Sequence, residues 1–515
     1  MRPRLFIRQQ SFLNQILPRS TASNPSLFNC QSNIRYLSKT PDLEVKKSNR
    51  PKNNGTKDNK TSRSLSTSSQ RLNFDGQIFS TWSKAQIFRN YMNFTMCQYD
   101  FLLNHSEKIM IFFAKIPIVN QIMKYFIYDQ FVGGDTLTEV KKTAAYLREN
   151  RIEPMLAIPM ETEGLTDDMD VPAWHQENLN KMIKSLEYAH AVSGNFPPVV
   201  HLKVTGVMYN ELFLKLSDYI GFDWSSKSPE NAKRFEQCTE ELLKMIQDPK
   251  YESPFYQEIL NKHPSSEHES SYEHLKIVAH RYKLLAEACV KNQVECLIDA
   301  EYVNINPAIA LVTMAMARHV NTKDKAYIWN TYQCYMKNTK NIVDFEMEYL
   351  KKFDQAWGAK IVRGAYMEKE RLRAEQNGYE DPICENIEAT HNNYNSIVAS
   401  CISKMAEIPK GQRPNLKILV ASHNEETVNL TYNLRNKCPT PDNIIFGQLY
   451  GMCDHISSEL GSKGLPIYKS MPIGSFDDVM PYLARRGSEN KTVVRGNHKE
   501  AILLKNQLFS FGSGK

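Results

Sequence analysis

From residue 154 to residue 474 one pattern of apolar and polar positions recurs along the chain. A short, β-branched apolar run ends in polar residues, and a longer stretch with apolar positions at helical spacing leads to the next run. The runs are PMLAIPM (154–160), VVHLKVTGV (199–207), ECLIDAEY (295–302), YIWNTYQCY (327–335), AKIVRGAY (359–366), KILVASHN (417–424), IIFGQLYG (444–451) and PIYKSMPIG (466–474). Strands alternating with helices predict parallel βα units, because parallel neighbours need a crossover long enough to hold a helix. Eight in one array predict an α/β fold, a (βα)8 barrel over an open doubly wound sheet. No GxGxxG turn follows the first run, which argues against a dinucleotide-binding open sheet. Two stretches lie outside the repeat. Residues 77–130 read as an N-terminal helical extension, and the charged, helical residues 208–290 read as an insertion between strands 2 and 3. The barrel is expected over 131–492, followed by a C-terminal tail, 493–515.

Charge sharpens the division. Residues 1–80 hold 14 Lys+Arg against 4 Asp+Glu, a net of +10, so the rest of the chain sums to −3. The basic balance belongs to the N-terminus and gives no support for nucleic-acid binding. Residues 1–41 contain no acid, with Arg2, Arg4, Arg8, Arg19 and Arg35 spread among apolar residues. That composition reads as a mitochondrial transit peptide. Residues 42–76 are mostly polar and of low complexity, and read as a disordered linker. The most apolar stretch, Ile109–Tyr128, is interrupted by Lys115, Pro117, Asn120 and Lys124, so it reads as a helix packed on the domain or lying at a membrane surface. The 10 Cys show no CxxC or metal-ligand spacing and suit buried free thiols in a reducing compartment.

Candidate chemistry gathers at the strand ends, where barrels of this type carry their active sites. The runs end in or carry Lys203, Asp299 with Glu301, Gln333, Arg363 with Tyr366, His423 with Asn424, Gln448 with Asp454, and Ser470. Buried polar groups are costly unless paired; their recurrence on nearly every strand points to a functional rim. After the eighth strand, Ser475–Asn490 reads as a helix with Tyr482, Arg485, Arg486 and Glu489 on one face and Phe476, Val479, Met480 and Leu483 on the next. Such a helix packs its apolar stripe while two guanidiniums lean over the mouth, a device for gripping a carboxylate or phosphate. No GxSxG elbow, Cys–His neighbour or HExxH is present. A metal on Asp299, Glu301, His423 and Asp454, as in a metal-dependent lyase or isomerase, is disfavoured by Lys203, Lys360, Arg363, Arg485 and Arg486 around the same mouth. A catalytically dead scaffold is the remaining alternative. Amides, lysines and aromatics around a large cavity suit a flavin.

The motifs LIDAEY (297–302), WNTYQCYMK (329–337), KIVRGAYMEKER (360–371), VASHNEETV (420–428), FGQLYGMCDHIS (446–457) and YLARRGSEN (482–490) together resemble the proline dehydrogenase family, in family order. The resemblance implies a distorted (βα)8 barrel in mitochondria that uses FAD to oxidise the pyrrolidine ring of L-proline to 1-pyrroline-5-carboxylate. Hydride passes to flavin N5 and electrons then pass to a membrane quinone, with the enzyme peripheral to the inner membrane. Carried over residue by residue, Arg485 and Arg486 clamp the substrate carboxylate with Lys203 beside them, and Tyr482 and Tyr366 wall the ring. Asp299 lies near substrate and flavin in an ion-pair network with Lys203. Gln333 and Lys360 face the flavin ring; Arg363, His423 and Asn424 face its ribityl, pyrophosphate and adenine portion. Glu489 orients the Arg pair, and no metal is implied. The sequence departs from the family pattern at Tyr302 (DAEYV for DAEQT), His455 (CDH for CDQ), Ser470 and Ile473 (YKSMPIG for YKYVPYG) and 156–161 (LAIPME for LDYGVE). These departures resemble the hydroxyproline branch. Ser470, small and hydroxylated where the family has an aromatic, makes trans-4-hydroxy-L-proline and L-proline the two candidate substrates.

Overall fold

The computed structural model describes residues 71–99, 117–160, 171–261, 272–408, 415–489 and 498–510. The expected transit peptide and nearly all of the expected linker lie outside the described residues.

All eight expected strands form, and they close into one parallel barrel in sequence order. They are β1 Glu153–Ala157, β2 Val199–Leu202, β3 Glu295–Ile298, β4 Ile328–Gln333, β5 Trp357–Val362, β6 Leu416–Ala421, β7 Ile444–Leu449 and β8 Ile467–Pro472. Closure is made by β8 against β1, with Ser470 opposite Met155. Side chains alternate across each strand, so one set faces the helices and the other the barrel interior. Met155, Val199, Leu297, Trp329, Leu419, Ile445 and Tyr468 pack as a cluster separate from the main core and fill the lower interior. Leu156, Val200, Ile298 and Ile361 join the large core between the barrel and its helices.

The insertion consists of helices Asn210–Ile220, Pro229–Gln247, Pro254–Asn261 and Tyr272–Lys291. Its packing role is legible in the next barrel helix, Asn306–Val320, in which every residue from Pro307 to Ala317 is buried. A helix apolar on all sides needs cover on all sides. The barrel covers one face, and insertion residues such as Leu212, Phe213, Phe235 and Leu242 share the core that covers the rest.

Both ends of the described chain pack more tightly than the sequence suggested. Leu72 and Phe74 are buried, and the Leu72 N–H donates to Asn429 Oδ1 at 2.9 Å, so residues 71–76, expected as linker, pack on the barrel. Leu72 and Phe74 both join the main core and anchor this segment to the barrel. Residues 498–510, expected as tail, form a helix whose Ala501 and Leu504 pack with Phe79, Ile87 and Phe94. Ser83 and Gln86 complete a capping box on helix Lys84–Met96. Residues 117–131 are helical, with one π turn at Lys124–Tyr128, where Asn93 Nδ2 donates to the Phe126 carbonyl. Among the described residues, no helix is long and apolar enough to cross a membrane.

Candidate active site

Two positions beyond the apolar floor, the same alternation turns polar. Val199 is followed on its face by His201 and Lys203, Leu297 by Asp299, Trp329 by Thr331 and Gln333, and Tyr468 by Ser470. Lys360 stands between Gly358 and Val362 on β5 in the same way. These side chains line a cavity of about 750 Å³ at the C-terminal mouth of the barrel. The wall is completed by Arg363, Tyr366, His391, Ser422, His423, Asn424, Tyr482 and Arg486.

The electrostatic centre is Asp299. Its Oδ1 accepts from Lys360 Nζ at 2.7 Å, and its Oδ2 lies 2.9 Å from His201 Nδ1. Burial alone would raise the carboxyl pKa, but Lys360 and His201 outweigh it and hold the group well below the usual carboxylate range. Burial pulls His201 the other way, below the ordinary imidazole value. His201 Nε2 lies 2.7 Å from Ser470 Oγ, so a hydrogen-bonded chain runs Lys360–Asp299–His201–Ser470 across four strands. Lys203 pairs with Glu301 at 3.5 Å. Asp299's ion-pair partner is therefore Lys360, with neutral His201 as a hydrogen-bond partner, where the sequence reading had placed Lys203.

Several polar residues at the mouth are held by the protein itself. Gln333 Nε2 donates to the Glu301 carbonyl at 2.8 Å, while its Oε1 accepts from Tyr335 OH at 3.0 Å. Gly364 makes room for that tyrosine: at φ +126° its backbone suits glycine, and a Cβ there would fall inside the Tyr335 ring. Arg363 lies over the Tyr394 ring and donates to His391 Nδ1, Ser422 Oγ and Thr427 Oγ1 at 2.9, 2.8 and 3.0 Å. His423 Nε2 accepts from the Leu449 N–H at 2.9 Å, and burial drives its pKa down to about 3, so it is neutral with the proton on Nδ1. Asn424 caps helix Glu425–Arg435 through Thr427 N–H at 2.8 Å. Its helix N-terminus thereby opens beside the cavity.

The helix after β8, Phe476–Glu489, packs Val479 and Met480 with Met123, Tyr128 and Val132. Tyr482 and Arg486 reach the cavity, with the Arg486 guanidinium 5.6 Å from the Tyr482 ring centre. Arg485 is half-buried on the same helix and is absent from the cavity wall. The Glu489 side chain lies outside the described residues. Ile473 lies off this cavity wall: it is buried, packs in the main core and lines a separate space of about 310 Å³ beside helix Val171–Ala191. Three residues after Ser470, an odd step, it takes the opposite face and joins Met471 in the main core. Of the other departures, Tyr302 packs on Tyr366 with ring centres 4.4 Å apart, and its hydroxyl accepts from Lys369 Nζ at 2.9 Å.

The cavity also contains residues that sequence reasoning missed. His201 was legible by the period of two, since it shares a face with Lys203. Lys499 and Glu500 were not, for they come from the presumed tail. Glu500 accepts from the backbone N–H groups of Cys453 and Asp454 at 2.6 and 2.8 Å, capping helix Asp454–Ser462 from outside. Buried His455 lies between Glu425 and Glu500; burial would lower its pKa, but the two carboxylates prevail and raise it.

The closed barrel carries at its mouth fixed cations, a buried ion pair and aromatic walls, the arrangement of an enzyme site. The family model for proline dehydrogenase matches residues 215–498. The Xenopus laevis protein named hydroxyproline dehydrogenase is 35% identical over 440 residues, 84% of this chain and 89% of its own. Its human namesake is 30% identical over 453 residues, 85% and 93% of the two chains. Proline dehydrogenase 1, mitochondrial, of Caenorhabditis elegans is 41% identical over 228 residues, covering 44% of this chain and 36% of that one. The crystal structure of proline utilization A from Bdellovibrio bacteriovorus shares the fold, with a TM-score of 0.54 and 17% identity over 76% of this chain; the match spans 36% of that protein. The chain belongs to the proline dehydrogenase family and is an oxidoreductase of that family.

Proposed function

We propose that this enzyme oxidises the pyrrolidine ring of trans-4-hydroxy-L-proline, with L-proline as the poorer substrate, using bound FAD and passing electrons to a membrane quinone. The observation that carries the substrate choice is Ser470, whose hydroxyl lines the cavity 2.7 Å from His201. A hydroxyl-bearing ring finds a polar partner there, and a ring without one leaves that partner unmatched.

The residues present fit a flavin dinucleotide. The cavity is within the usual size range for large ligands, and the donors around it are spread along one wall. Lys360 and Gln333 would hold the ring system. Arg363, His423, Asn424 and the helix N-terminus behind Asn424 would hold the phosphate-bearing portion. When bound, the flavin supplies the acceptor for the hydride. The chain's own residues bind and orient: Arg486 with Lys203, and Arg485 behind, receive the carboxylate, and Tyr482 and Tyr366 wall the ring. Asp299 holds Lys360 in place, and Glu489 orients the guanidiniums. Positioning of this kind accounts for a large share of a barrier without any protein nucleophile.

The relatives named mitochondrial support a mitochondrial location, with the acid-free N-terminus as its signal. Membrane contact is supported by Ile118, Ile122 and Tyr125, exposed at one helical face of residues 117–128. Ile118→Ser with Ile122→Ser should abolish co-sedimentation with anionic vesicles; retention would remove that contact from the proposal.

The deciding experiment for function is an anaerobic titration of the full chain loaded with FAD, following loss of flavin absorbance. Hydroxyproline should bleach the flavin at lower concentration than proline. Equal or reversed preference would overturn the substrate choice, and a folded protein that takes up no FAD would overturn the whole reading.

A further inference from the structure

We propose that His201 is a specificity-determining positioning residue, which makes Ser470 a hydrogen-bond acceptor toward the cavity and so selects a ring substituent that donates. The inference rests on the substrate reading above and adds the direction of the hydrogen bonds. That direction is set from the far end of the chain. Lys360 can only donate, and Asp299, held ionised, can only accept. At 2.9 Å from Asp299 Oδ2, His201 Nδ1 must therefore carry a proton. A neutral imidazole has one N–H, so Nε2 presents its lone pair to Ser470 Oγ at 2.7 Å. The serine proton is spent on His201. What Ser470 offers the cavity is its oxygen lone pairs.

The order Ser–His–Asp is that of an acyl-transfer triad, and the surroundings argue against that use. Ser470 sits within β8, which is paired on both sides in the closed barrel, so among the described residues no pair of backbone N–H groups stands beside Oγ to hold an oxyanion. Lys360, a full cation 2.7 Å from Asp299, also weakens the carboxylate's support for an imidazolium. The chain is built to orient a proton.

Three ring substrates separate this reading from a merely roomier pocket: trans-4-hydroxy-L-proline, trans-4-fluoro-L-proline and L-proline. Fluorine fills the same space and cannot donate. With the flavin-loaded full chain, KM for the hydroxy compound should be at least about tenfold below that for the fluoro compound, the size of one net hydrogen bond plus an unmatched partner. His201→Leu and Ser470→Ala should each bring the hydroxyproline-to-proline ratio of kcat/KM close to one. The rise in KM should be larger for hydroxyproline than for proline. Fluoroproline recognised as well as hydroxyproline by the wild-type enzyme would overturn the inference, whether or not either variant folds. So would an unchanged ratio in a folded, flavin-loaded His201→Leu. If none of the three compounds reduced the flavin, the function reading itself would fall, and this inference with it.

Discussion

Asp299 and Lys360 offer the sharpest test of how the site is held together. Asp299→Asn keeps the shape and removes the charge, leaving Lys360 with its side chain 12% exposed and no counter-ion at 2.7 Å. At an effective dielectric near 20, two charges at that separation attract by ~6 kcal/mol, most of which desolvation offsets. Removing one partner leaves the other buried alone, at a cost of ~3 kcal/mol. Lys360→Met should cost a similar amount for the mirror reason. The double variant should cost about as much as either single one, giving a coupling energy of ~3 kcal/mol in the double-mutant cycle. Urea denaturation followed by tryptophan fluorescence reads it, since Trp329 and Trp357 lie buried in the strands beneath the site. The pH dependence supplies a check of sign. A depressed carboxyl pKa gives stability that is present above the ordinary carboxylate range and lost as pH falls through the folded value. Asp299→Asn should flatten that acid-side loss. Single-variant costs that add to within ~0.5 kcal/mol, or an unchanged acid limb, would refute the reasoning.

Other expectations follow from the same geometry. Arg486→Met should raise the substrate KM steeply, by about 100-fold for a lost charged clamp, while the flavin stays bound; Arg485→Met, off the cavity wall, should do less, and loss of flavin with unchanged KM would reverse the assignment. Glu346 is fully buried with Trp224, Asn330 and Tyr332 donating to it, and burial pushes its pKa up to about 7. The folded state thus keeps a proton that the unfolded chain releases, so this group's stabilising effect of ~3 kcal/mol is present at acid pH and is lost as pH rises to about 7. Glu346→Gln should remove that slope from urea midpoints measured between those limits; an unaltered slope would place its origin elsewhere.

The barrel was legible because its determinants are local and repeated. Each strand needs a short β-branched run and each crossover a helical period, and eight repetitions leave few ways to bury the apolar faces together. The polar rim was legible for the same reason, since residues two apart on a strand share a face and the mouth is where the apolar series ends. Lys203, Asp299, Gln333, Lys360 and Ser470 all obey this rule. So does His201, whose place in the series went unread.

Sequence alone could not supply partners across the barrel. Whether Lys203 or Lys360 meets Asp299 depends on stagger between strands that are far apart in the chain, and the closed register decides for Lys360. Ile473, by contrast, follows a local rule: it is an odd number of residues from Ser470 and so turns away from the cavity with Met471. Lys499 and Glu500 reach the cavity because helix His498–Ser510 packs on helix Lys84–Met96, some four hundred residues earlier, a contact that no local period records. The order of strands and the kind of chemistry were thus written in local patterns. The pairing of charges, and the direction of the hydrogen bonds that runs from Lys360 to Ser470, came only from folding distant residues to within 3 Å of one another.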